Sequence, residues 1–267
     1  MKLSIFNTLV KFLFPIQFYL NSVRLLKVIL YSILFQIFAS GTINAQSTID
    51  FGLIKQKKVK KAIKRGNLCS TLDFEQVKSS CLCNEDIQYN THRKSYLFNF
   101  DVKKVWDAYL SIPPKKAWND KIVSFGMMYE AEKHMFHYVD EKMPPARVGQ
   151  LVFINLHLLK GFINVAVAHK IMEINETEKL IRTCYVESGV SKGTQFVRFY
   201  DLGNNQTKVE HITFYRSESR FRDKHLYPFL HEKVITEFHQ NINHYLIISE
   251  KKSPPSKAKN LVRLNKL

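Results

Sequence analysis

The side chains able to do chemistry are few in this chain, and most fail the spacing that chemistry requires. His231-Glu232 could open a zinc-protease helix, but the second imidazole would have to stand four residues after the first to share its face, and Ile235 stands there. Ser188-Gly-Val-Ser-Lys-Gly193 lacks the spacing of a nucleophile elbow, and no glycine-rich phosphate loop is present. Nine glycines in 267 residues also argue against a dinucleotide-binding fold. No resident metal or cofactor is expected. Among ten histidines, a residue type that is usually solvated or satisfied structurally, His169, His211 and His231 are the ones of interest. Glu187, Arg198, Tyr200, His211 and Phe238 are the candidate ligand-binding side chains. They would orient a polar head if they converged in one cavity. His211 alternates with Val209, Thr213 and Tyr215 while Ile212 and Phe214 take the other side, so the pattern leaves open which face points inward.

Four cysteines offer covalent chemistry. Cys69, Cys81 and Cys83 are the expected disulfide formers, Cys69 pairing with Cys81 or Cys83, and Cys184 sits in an apolar strand candidate as a buried thiol. A metal site is not expected, because the spacing of Cys69, Cys81 and Cys83 fits no standard zinc pattern.

That disulfide reading depends on the compartment. The apolar run from Val28 to Ala39 follows Arg24 and Lys27 and precedes Ser40-Gly-Thr-Ile-Asn-Ala45, the order of a signal peptide cut after Ala45. Residues 1–45 are therefore expected to direct export to the periplasm or the medium, with an uncleaved membrane anchor as the alternative.

The formal charge of +17 is not spread along the chain. Residues 46–83 carry eight basic against three acidic side chains and 251–267 carry six basic and none acidic, whereas 84–250 is almost balanced. A nearly neutral central part makes nucleic acid an unexpected partner. The basic flanks leave an anionic membrane surface open. Residues 46–93 read as a basic, cysteine-containing segment, and 250–267 as a disordered basic tail. Lys55 to Arg65 holds seven cations, which oppose a helix and favour a solvated arm.

The central part must do the positioning. Tyr96, Phe98 and Phe100 alternate as a first strand, and Asp101 can cap a helix over Val102–Leu110 that ends at Pro113-Pro114. Segments 123–129, 134–139, 150–157, 162–174, 180–187, 194–201 and 208–216 are rich in β-branched and aromatic residues, with Gly203-Asn-Asn-Gln206 the clearest hairpin turn. From about Asp223 to Ser249, Leu226, Phe229-Leu230, Val234, Phe238, Ile242 and Tyr245-Leu246 recur every three or four residues, as in one amphipathic helix.

Strand, short helices, antiparallel strands and a closing long helix make an α+β layout. With Phe100-Asp-Val-Lys-Lys-Val-Trp106, Trp118, the strand ladder and Leu226-Tyr-Pro-Phe229 to Phe238, residues 94–249 resemble the helix-grip fold of the START-like, polyketide cyclase-like superfamily. Gly193-Thr-Gln-Phe196 onward is also similar to a domain of unknown function within it. The resemblance implies a curved antiparallel sheet around the last helix. The space between them would hold a hydrophobic or lipid-like small molecule, lined by Phe153, Phe196, Tyr200, Phe214, Tyr215 and Phe238. It also implies an alternative, a cyclase- or hydrolase-like enzyme in which His211 or Glu187 moves a proton. A third reading has the basic arms contact anionic lipid or polymer.

Overall fold

The computed structural model describes residues 47–81 and 89–252; Cys83, the predicted leader and nearly all of the basic tail lie outside them. Helix α1 (Lys57–Arg65) and the short α2 (Thr71–Glu75) precede strand β1 (Asn90–Phe98). Helices α3 (Val102–Ser111) and α4 (Pro114–Ala117) follow, then β2 (Val123–Glu130), β3 (Met135–Tyr138), β4 (Leu151–Leu158), β5 (Ile163–Asn175), β6 (Leu180–Tyr185), β7 (Lys192–Gly203) and β8 (Gln206–Arg216). A π-turn at Arg222–Leu226 leads into the closing helix α5, Tyr227–Lys252.

All strands join one antiparallel sheet in the order β1-β8-β7-β6-β5-β4-β2-β3. Local chemistry accounts for the joints. Asp101 accepts from the Lys104 amide at 2.8 Å and starts α3. Asn204 and Asn205 both take positive φ in the β7–β8 hairpin, as a two-residue turn matched to strand twist demands. At Gly193 a Cβ would meet the Phe214 carbonyl oxygen at 1.9 Å, so β7 can begin beside β8 only without a side chain there.

The sheet has a different cover on each face. On the concave face lies α5, packed with α3 through Trp106, Tyr109, Phe199, Val209, Ile242 and Leu246. The Glu237 carboxylate fastens α5 to the start of β2, accepting from the amides of Ile122 and Val123 at 2.9–3.0 Å. Burial raises the pKa of that carboxyl. An eight-stranded antiparallel sheet gripping one long helix is the helix-grip fold, as the resemblance implied.

On the convex face of β2, β4 and β5 lies the segment expected to be a solvated arm. Ile49, Ile54, Val59, Ile63, Leu68 and Phe74 pack against Met127, Tyr129, Leu151, Phe153 and Ala168. The seven cations do not prevent α1, because Val59 and Ile63, one turn apart, are both fully buried while the lysines point outward. The cysteine pairing is corrected as well. Cys81 bonds to Cys184 on β6, and Cys69 is free and exposed. Cys184 lies on the convex side, beside Thr194, where the end of the docked segment reaches it.

Candidate functional site

The sheet and α5 do not meet everywhere. Between them a cavity of about 320 Å³ is walled by Trp118, Ile154, Leu156, Val165, Val167, Leu230, Val234 and Ile235. Its polar lining is short: His169, Tyr185, Gln195, Ser191, Arg222, Tyr227 and His231. The mouth lies where Ile163, Val190 and Leu226 are half exposed, beside Phe162 at 89% exposure. A second, open cleft of about 370 Å³ on the convex side runs between Lys58, Lys61 and Arg65 of α1 and residues 164–168 of β5.

Below the inner cavity the concave face carries an unusual density of imidazoles. His211 bonds through Nε2 to the Gln195 side-chain oxygen at 2.9 Å and through Nδ1 to His239 Nε2 at 3.0 Å. His239 Nδ1 meets the Tyr109 hydroxyl. The partners fix the tautomers. Gln195 Oε1 only accepts, so His211 holds its proton on Nε2, His239 donates from Nε2, and Tyr109 donates to His239 Nδ1. Every member of this string is satisfied with neutral rings. Burial drives the pKa of His211 down to about 3 and that of His239 well below the ordinary range, and it raises that of the Tyr109 phenol.

A second string reaches the surface. His231 and His92 face each other through Nδ1 atoms 3.1 Å apart, and His92 Nε2 lies 3.7 Å from Glu232, which Lys94 holds at 2.7 Å. With a His92 proton directed at that carboxylate, His231 donates from Nδ1 and keeps an open lone pair on Nε2. Tyr227 stacks on the His231 ring and bonds Tyr185 at 2.6 Å, closing one end of the cavity.

His169 is different. It is 8% exposed, lies between Trp118 and Tyr185, and lines the cavity, yet both ring nitrogens are buried without a hydrogen-bond partner among the described residues. Burial alone lowers its pKa to about 4, so the ring is neutral at pH 7.

Of the five residues singled out in the sequence, the structure brings only two to the helix side. His211 belongs to the first string. Phe238 stacks on Trp118 at 4.1 Å and so supports a wall residue without lining the cavity itself. Arg198 and Tyr200 alternate to the convex face, where Arg198 lies over Phe196 and Tyr200 reaches Glu210. Glu187 is exposed beyond the end of β6, its amide bonded to Lys78. Phe153, Phe196 and Phe214 also face outward, leaving Tyr215, stacked on Tyr227, and Phe238 as the inward aromatics of that set. Sequence reasoning missed His92, His239 and the part played by His169. His231 and His239 stand two helical turns apart on one face, and His92 alternates with Tyr96 and Phe98 on β1; those spacings were the available signals.

No protein-family model matches the chain, and no curated protein matches its sequence. Solved structures do resemble it. A point mutant of norcoclaurine synthase from Thalictrum flavum, in complex with a transition-state analogue, aligns at 10% identity with a TM-score of 0.46, covering 62% of this chain and 99% of that one. Major latex-like protein 151 from Panax ginseng aligns at 11% identity and a TM-score of 0.43, covering 59% and 97%. Ara h 8.0201 aligns at 13% and 0.40, covering 60% and 99%. The helix-grip architecture is that of the eight-stranded antiparallel sheet and α5 themselves.

Proposed function

We propose that the protein is an exported binding protein that holds a hydrophobic or lipid-like small molecule between the sheet and α5. The observation that carries this reading is the cavity itself, about 320 Å³ with mainly aliphatic walls and an apolar mouth. A well-packed core leaves few voids of this size, and small-molecule sites are mostly apolar hollows with a few placed polar groups. Export is supported by the leader pattern and by the Cys81–Cys184 disulfide, a bond that persists in oxidising compartments. Saturable binding of 1-N-phenylnaphthylamine, together with an apolar compound recovered by organic extraction of the purified protein, is the expected result. A protein that neither binds the dye nor carries an extractable molecule would overturn the reading. Mass spectrometry of the secreted form should find Gln46 at its N-terminus; Met1 or Lys2 would overturn cleavage.

One observation favours a second reading, an enzyme on a hydrophobic substrate. The Glu232–His92–His231 string ends at the cavity with an open imidazole nitrogen, the position a general base requires. Hydrolysis of p-nitrophenyl octanoate that His231→Gln abolishes without changing dye affinity would support catalysis. Absence of turnover in the wild type leaves binding as the function.

A further inference from the structure

His169 sets a chemical condition on whatever fills the cavity. A buried polar group without a partner costs about 1–3 kcal/mol, and natural proteins seldom leave an imidazole with both nitrogens unpaired. Its surroundings supply nothing: Trp118 and Tyr185 flank it with ring faces, and the Tyr185 hydroxyl is taken by Tyr227. Among the described residues the ring is part of the cavity wall, with both nitrogens shielded as the ring stands.

We infer that the ligand is a small apolar molecule carrying one uncharged hydroxyl or carbonyl group, and that His169, turning about its Cβ–Cγ bond to present a nitrogen to the cavity, is the residue that recognises it. The inference deepens the binding reading and rests on it.

A neutral imidazole offers one N–H and one lone pair, which suit a hydroxyl through either atom and a carbonyl through the N–H. A carboxylate beside His169 finds no cation acting there, since burial alone shifts that imidazole. The single charged side chain of the lining, Arg222, sits towards the mouth with its guanidinium on Val190 O, Ser191 Oγ and Asp223. Burying an anion beside His169 would leave its charge unpaired, at greater cost than an unpaired dipole. Water is a poor substitute, because an ordered buried water needs two to four polar partners and the walls nearest His169 are rings and aliphatic side chains. The imidazole sits at the Trp118 side and the half-exposed Ile163, Val190 and Leu226 mark the mouth, so the ligand enters polar end first.

Competition against 1-N-phenylnaphthylamine with four ten-carbon probes tests this: decan-1-ol, 2-decanone, decanoate and 1-bromodecane. In the wild type the alcohol and ketone should displace the dye about tenfold better than decanoate or the bromide, the ratio of one well-placed hydrogen bond. His169→Phe keeps the aromatic packing and should level the four probes' affinities relative to one another. His169→Gln, which restores a donor and an acceptor, should recover part of the preference. Equal displacement by all four probes in the wild type, or a preference for decanoate, would overturn the inference and leave the binding reading standing. So would an alcohol preference that survives in His169→Phe. Failure of the dye and every probe to bind sinks both. Should His169→Phe not fold, the wild-type series and the Gln variant decide.

Discussion

The two faces of the sheet differ in how they are filled. The convex face of β2 and β4 is packed around one ring: Phe74 of α2 makes ring contacts with Tyr129, Phe136 and Phe153, and α1 closes over Gly126. The concave face of β4 and β5, one residue away along the same strands, borders a void and carries an unpaired imidazole. The outer packing, held by a disulfide, serves stability, while the inner face gives up contacts and hydrogen bonds in the way that binding sites do.

The largest test of this contrast is Phe74→Ala. It removes a ring that is 1% exposed and touches three other rings, and should cost about 3–5 kcal/mol in urea unfolding. A cost below about 1 kcal/mol would show that the N-terminal segment is not part of the core. Next comes the tether. Cys81 and Cys184 are 103 residues apart, and a cross-link closing so long a loop constrains the unfolded chain strongly. Replacing both by Ser should cost about 2–4 kcal/mol, whereas Cys69→Ser should leave the melting temperature unchanged.

How much of this was legible in the sequence depended on what covers each strand. Element order and type were readable, because β-branched and aromatic runs, Asp101, Pro113-Pro114 and Asn204-Asn205 act locally. The faces were not. On β8 both Ile212 and His211 are buried, so the polar-out alternation that normally orients a strand is lost. That ambiguity put Arg198 and Tyr200 among the inward candidates. The α5 stripe was right at Val234 and Ile242 but wrong at Phe229, which is 57% exposed under the Lys233 ammonium. In α1 two buried side chains were outvoted by seven cations. A disulfide across 103 residues has no local signature at all.

A third prediction sets the inner face against acid. His169 and His211 keep pKa values of about 4 and about 3 because burial penalises the charged ring, while an unfolded histidine titrates near 6.5. The unfolded chain therefore binds protons that the folded one refuses. Stability is full above about pH 6.5 and is lost as the pH falls towards 4, at about 1.4 kcal/mol per pH unit for each imidazole held neutral. His92, His231 and His239 face the same space and shift in the same direction; Glu232 and Lys94 are the charged groups beside them. Trp106 and Trp118 both lie on the helix side, so tryptophan emission followed against urea at pH 7, 6 and 5 reads this loss. Equal midpoints at the three values would mean that the imidazoles are not held neutral.

The smallest effect expected is also the sharpest probe of the two faces, because it asks each to accept extra atoms. At Gly126 on the convex side an added Cβ would meet the Phe153 carbonyl oxygen and Val59 Cγ2, both at 2.9 Å, and the first of these is backbone that cannot swing aside. Gly126→Ala should therefore cost about 1–3 kcal/mol, as overpacking does. Val167 points into the inner cavity, where Val167→Leu lengthens the side chain into empty space. Its cost should stay within about 0.5 kcal/mol, or become a small gain as the void fills. The same change takes volume from the ligand, so dye affinity should fall while the urea midpoint holds. If both substitutions destabilise alike, the inner face is packed as tightly as the outer one and the cavity is not a standing feature of the fold. If Val167→Leu spares both stability and dye binding, the dye occupies another place, and the open cleft beside Lys58, Lys61 and Arg65 becomes the position to examine.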